Sequence, residues 1–145
     1  MAKNEQLYAE SGILGFTKQL DNASGILAVD VHTANAEGSK IKALNVSSSD
    51  TAIRYMEIIV NDGVSDFILG TIAIPITAGR SATGAVPSVN VLDSANIVGL
   101  EKDIEGNNIL CLPPTWILKA RMIVAITVAG ALTIDIVGFY KSLTA

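Results

Sequence analysis

The residues that could do chemistry are few, and they are scattered. His32 is the only histidine and Cys111 the only cysteine. A histidine can serve as general acid or base. No nucleophile or orienting carboxylate stands at a recognisable spacing from His32, and a lone His at a strand end usually serves as a surface or hydrogen-bonded residue. Cys111 lies between Leu110 and Leu112. A reactive thiolate needs positive charge nearby; the local sequence supplies none, so the expectation is a small buried hydrophobe. One Cys excludes an intrachain disulfide, and one Cys with one His argues against a zinc site within the chain.

The carboxylates suggest calcium first. Asn61-Asp62-Gly63-Val64-Ser65-Asp66 is an oxygen-rich stretch, and Asp93, Asp103 and Glu105 add further acids. The twelve-residue pattern ending in a bidentate Glu is missing, and a hairpin turn explains the same residues. Gly79-Arg80-Ser81-Ala82-Thr83-Gly84 is flanked by glycines but has neither the phosphate-loop spacing nor a following helix. Ser47-Ser48-Ser49 with Arg54 suits an interaction surface. Trp116, after Pro113-Pro114, suits either a cap on the core or a subunit contact. No catalytic, cofactor-binding or metal-binding residue is assigned, and the expectation is a protein that is not an enzyme.

These residues must be held by β-structure. At 145 residues the chain suits a single domain. Half of it is hydrophobic and only seven residues are aromatic, so Ile, Val, Leu and Ala carry the core. Period-two alternation recurs between Gly, Asn, Asp, Ser and Pro clusters. It predicts strands over Phe16–Leu20, Gly25–Thr33, Lys40–Ser47, Thr51–Val60, Asp66–Thr77, a short one over Ser88–Leu92, and Ile109–Leu112. A last hairpin opens at Trp116, runs from Ile117 to Ile126, turns at Gly130 and returns from Leu132 to Tyr140. Thr51–Val60 is apolar on both faces, which suits a central strand. Asn61-Asp62-Gly63 supplies its hairpin turn. Pro75 places the end of the returning strand at an edge or a bend. One helical turn fits Leu92–Asn96, and the charged stretch Leu100–Asn108 reads as a solvated loop. The predicted fold is all-β: an antiparallel β-sandwich, jelly-roll-like, of seven or eight strands over residues 15–145, preceded by an N-terminal arm over residues 1–14.

Composition narrows the partners. The net charge is −4 and the ten basic residues form no stripe, which disfavours nucleic acid. No run of about 18 apolar residues supports a spanning helix, so no membrane partner is expected. The polar start Met-Ala-Lys-Asn-Glu-Gln lacks the apolar stretch of a signal peptide, so synthesis in the cytoplasm without secretory export is expected.

The order of features from Ser49 to Tyr140 resembles small β-sandwich virion structural proteins of tailed bacteriophages. Three runs carry the resemblance: Ile53 to Gly63, Leu69 to Pro75, and Leu112-Pro113-Pro114-Thr115-Trp116-Ile117-Leu118-Lys119-Ala120. It covers about two-thirds of the chain and brings no catalytic residues or cofactors. It implies a capsid decoration or cement protein that binds and stabilises the head shell. The implied partners are the major capsid protein or other virion proteins, the implied state a homotrimer, and the implied location the virion, after synthesis in the host cytoplasm. The alternative is a fibre- or tail-associated β-sandwich that binds a receptor or carbohydrate, for which Tyr8, Tyr55, Trp116, Phe139 and Tyr140 are the candidate contact aromatics.

Overall fold

The alternating stretches become ten strands in the computed structural model, which describes residues 13–80, 86–128 and 130–143. The first five are β1 (Leu14–Leu20), β2 (Val29–Thr33), β3 (Ser39–Ser48), β4 (Arg54–Asn61) and β5 (Asp66–Ile74). The others are β6 (Val89–Asn90), β7 (Glu101–Lys102), β8 (Asn108–Leu112), β9 (Ile117–Met122) and β10 (Ile134–Ser142). The count exceeds the expected seven or eight: β6 is the short strand expected over Ser88–Leu92, whereas the two residues of β7 are too few to show a period. β7 falls in the charged stretch expected to be a solvated loop: Glu101 and Lys102 pair with Ile109 and Asn108. Of the expected arm, residues 1–12 lie outside the described residues, and Leu14 already belongs to β1, opposite Tyr140.

All pairings are antiparallel. One sheet has the order β1-β10-β3-β8-β7, with β6 also on β3; the other has the order β2-β9-β4-β5. Setting aside the two shortest strands leaves four strands in each sheet. Successive long strands then alternate between sheets, except for the β4–β5 hairpin, and this is the jelly-roll arrangement. The hairpin forms where Asn-Asp-Gly predicts it. Asp62 Oδ1 accepts from the N–H groups of Val64 and Ser65, both at 2.9 Å, and Gly63 has φ 101°. β4 is central and β5 is an edge strand that ends before Pro75.

The expected last hairpin does not form. β9 pairs with β2 and β4 in one sheet, and β10 pairs with β1 and β3 in the other. After Met122 the chain leaves the sheet, anchored by the Ile123 N–H on the Tyr55 carbonyl at 3.1 Å, and crosses the open end of the sandwich. Alternation shows that a residue faces the core. It does not show which sheet its strand joins, because the two inner faces have the same aliphatic composition.

Those inner faces make the core. Met56, Ile58, Ile72, Ile74, Leu118 and Met122 from one sheet meet Ile41, Leu44, Val46, Leu112, Ile134 and Ile136 from the other, and all are buried. Each such side chain contributes about 1.5–3 kcal/mol on full burial. At the β1–β2 edge the filling is aromatic. A register shift in β2 between Asp30 and His32 turns both Val31 and His32 inward. The His32 ring stacks on Phe16, with centroids 4.7 Å apart, and lies 4.2 Å from that of Tyr140.

Candidate interaction surface

The described parts of four connections meet at one end of the sandwich: 21–28, 49–53, 75–80 with 86–88, and 123–128 with 130–133. Leu20 lies beside Ile134 and Ile134 beside Ser48 in one sheet, and Val29 beside Ala120, Met56 beside Met122 and Arg54 beside Ile74 in the other, so these strand ends lie at the same end. The strand order β2-β9-β4-β5 then sets four groups of residues side by side. Ile26 and Leu27 stand just before β2, and Ile123 and Val124 just after β9. Ile53 stands just before β4, and Ile76 just after β5. With strands about 4.8 Å apart, this row spans roughly 14 Å. All six side chains are exposed, Leu27 to 73% and Val124 to 59%, and Val128 adds a seventh at 73%. A monomer scatters single exposed aliphatics, whereas a contiguous group marks a contact surface.

The connections are tied to one another by polar contacts beneath this row. Asp50, fully buried, accepts from Arg54 Nε at 2.8 Å, the Thr127 N–H at 3.0 Å, the Thr127 hydroxyl at 2.9 Å and the Ala52 N–H at 3.0 Å. Arg54 also donates to the Thr127 hydroxyl. Burial alone raises the Asp50 pKa, but the Arg54 guanidinium and the donors from Thr127 and Ala52 bring it down to about 2. The Asp50 carbonyl accepts the Thr77 N–H at 3.2 Å, and Asn22 Nδ2 donates to the Ile126 carbonyl at 2.7 Å. One residue, Asp50, therefore touches three of the four connections, and Asn22 adds the fourth. The end is also poor in free charge. Among its described residues the charged ones are Asp21, Asp50 and Arg80; Asp50 pairs with Arg54 and Arg80 with Asp135.

The residues singled out for chemistry are dispersed. His32 Nε2 is 2.9 Å from the Ser39 hydroxyl, and burial lowers its pKa. Cys111 does not lie in the core, where its apolar neighbours led it to be expected. It pairs across with Lys40 on the outer face of β8, where it is half-buried, and its Sγ lies 3.5 Å from Glu101 Oε2. Burial and then the Glu101 carboxylate raise its pKa, while Lys40, brought in from β3, opposes them. Asp93 accepts from the Asn96 and Ile97 N–H groups through its carbonyl, the expected single helical turn. The stretch 79–84 lies partly outside the described residues. Trp116 packs, half-buried, on the core, and its carbonyl accepts the Ala34 N–H at 2.8 Å. No cluster of three or more potential metal ligands occurs among the described residues.

A second surface is polar. A cleft of about 520 Å³ on the outer face of β3 is lined by Lys42, Asn45, Asn90, Asp103, Asn107 and Asn108. Asp103 Oδ1 accepts the N–H groups of Asn107 at 2.9 Å and Glu105 at 3.0 Å, and the first of these leads the lowering of its pKa. Its Oδ2 is buried with no hydrogen-bond partner among the described residues. The amides and the ammonium group of this cleft suit a hydroxyl-rich ligand.

No protein-family model and no curated protein matches the chain. Its fold is similar to that of a chain in the acidic stable capsid structure of Helicobacter pylori bacteriophage KHP30. The TM-score is 0.57, at 6% sequence identity, over 93% of this chain and 91% of that one. At that identity the likeness is one of fold. No helix among the described residues is long and apolar enough to cross a membrane.

Proposed function

We propose that this chain is a non-enzymatic structural protein of a bacteriophage virion, a decoration or cement protein that binds the head shell and stabilises it. The observation that carries this reading is the likeness of its jelly roll, along nearly the whole of both chains, to a chain in a phage capsid structure. A cross-tied β-framework is suited to repeated docking, in which many weak contacts add through avidity. The partners on this reading are the major capsid protein or its neighbours in the shell, and the working state is a homo-oligomer, with a trimer as the first expectation. The test is mass spectrometry and cryo-electron microscopy of particles purified from cells that carry the gene. The chain in heads at a fixed ratio to the shell protein supports the proposal. Particles that lack it overturn the proposal.

The second reading is a binding module on a fibre or tail, and the polar cleft around Asn45 and Asp103 favours it. Of the candidate aromatics, Tyr55 and Phe139 are exposed, Trp116 and Tyr140 pack against the core, and Tyr8 lies outside the described residues. Binding on a glycan array, lost on Asn45→Ala, would select this reading.

A further inference from the structure

We infer that the apolar end of the sandwich is a self-contact surface, and that what covers the row Leu27, Val124, Ile123, Ile53 and Ile76 is a second copy of this chain. Area, charge and rigidity lead there. The seven exposed aliphatics of this end present on the order of 700 Å² of apolar surface, close to the roughly 800 Å² that each partner gives to a standard interface. The chain as a whole carries a net charge of −4, so two copies repel over most approaches. At this end the buried Asp50 is paired with Arg54 and the Arg80 guanidinium with Asp135. Of the charged residues described there only Asp21 stands outside an ion pair, so two ends approach with little repulsion.

Rigidity adds to the case. The Asp50 and Asn22 contacts hold the connections to one another before any partner arrives. Association then orders little additional chain, and more of the apolar burial appears as affinity. Symmetric oligomers most often join like surfaces about a two-fold axis, which a continuous row of aliphatics permits.

The inference does not rest on the virion reading, since a chain absent from every particle can still associate through this end. The experiment is sedimentation equilibrium of the purified full chain over a wide concentration range, beside Leu27→Asp, Val124→Asp and, as control, Ile104→Asp. All three side chains are exposed, Ile104 to 95% and away from this end, so circular dichroism and Tm are expected to stay near those of the parent. The expected result is association of the parent and of Ile104→Asp, with Kd at least 100-fold weaker for Leu27→Asp and Val124→Asp. A mass of two or three copies supports the inference equally, since both place a copy on the row. A parent that stays monomeric at the highest concentration overturns it. So does an oligomer that Leu27→Asp and Val124→Asp leave intact, or one that Ile104→Asp also dissolves.

Discussion

Asp50 holds Thr127, 77 positions further along the chain, by both the backbone N–H and the hydroxyl of that residue. The pair fastens the β3–β4 connection to the β9–β10 connection, where the chain passes from one sheet to the other. Arg54 closes the arrangement from the same side, so a buried carboxylate has all its partners.

Removing that carboxylate leaves Arg54 Nε and the Thr127 N–H without an acceptor, and the guanidinium without its counter-charge. Asp50→Ala is therefore expected to cost about 3–5 kcal/mol, the usual penalty for breaking a buried pair, read by urea denaturation. The pH dependence follows from the pKa. Asp50 sits at about 2 in the fold against an ordinary 3.8. The unfolded chain takes up the proton first, so the contribution is complete above the ordinary value and is lost as pH falls through about 2. Tm measured down that range should fall more steeply for the parent than for Asp50→Asn. Parallel curves would show that the carboxylate contributes nothing.

Gly138 is needed because Phe16, its partner across β1 and β10, lies directly over it. A Cβ at 138 would overlap the Phe16 ring. Gly138→Ala is expected to cost about 1–3 kcal/mol by overpacking, and to push Phe16 off His32. The double variant Gly138→Ala with Phe16→Ala should be less destabilised than the sum of the two single changes. Simple additivity in thermal denaturation would rule out the contact as the cause.

Cys111 faces outward beside Glu101, and burial followed by that carboxylate keeps its thiol protonated at neutral pH. Slow alkylation by iodoacetamide is expected, and Glu101→Gln should speed it several-fold by lowering the thiol pKa. Equal rates in parent and variant would show that Glu101 has no hold on the sulfur.

Much of the framework was legible from residue types. Asn61-Asp62-Gly63 has the one turn chemistry that fits a tight hairpin, and Met56, Ile58 and Val60 alternate cleanly towards the core. What alternation does not carry is partner choice, and so β9 and β10 read as a hairpin although they lie in different sheets. The contact surface was hidden for a related reason. Ile26, Leu27, Ile53, Ile76, Ile123 and Val124 all continue an apolar period and so read as strand, yet each lies one to three residues beyond a strand end. The signal was an apolar overrun at four strand ends, and only the topology shows that these ends are neighbours. Cys111 was misread because Leu-Cys-Leu suggests one continuous interior, whereas its strand has a covered outer face. His32 is hydrogen-bonded, one of the two roles expected of it, but its burial was not legible, because a register shift in β2 turns inward a residue that strict alternation with Val31 would point out.

His32 carries the last prediction. Its ring packs against both Phe16 and Tyr140, which also meet each other, its Nε2 meets the buried Ser39 hydroxyl, and burial lowers its pKa below the ordinary 6.5. Protonation is therefore easier in the unfolded chain. The stability that neutral His32 provides is complete above 6.5 and drains as pH falls below it towards the folded value. His32→Phe keeps an aromatic ring against Phe16 and Tyr140 but strands the Ser39 hydroxyl, at a cost of about 1–3 kcal/mol at neutral pH. The variant should lose less stability than the parent as the medium is acidified from neutral to mildly acidic, so the gap between them should narrow. Chemical denaturation at a series of pH values measures that gap. A gap that stays constant would mean that the ring is equally easy to protonate in the folded and unfolded chains, and that its burial against the aromatic rings imposes no electrostatic cost.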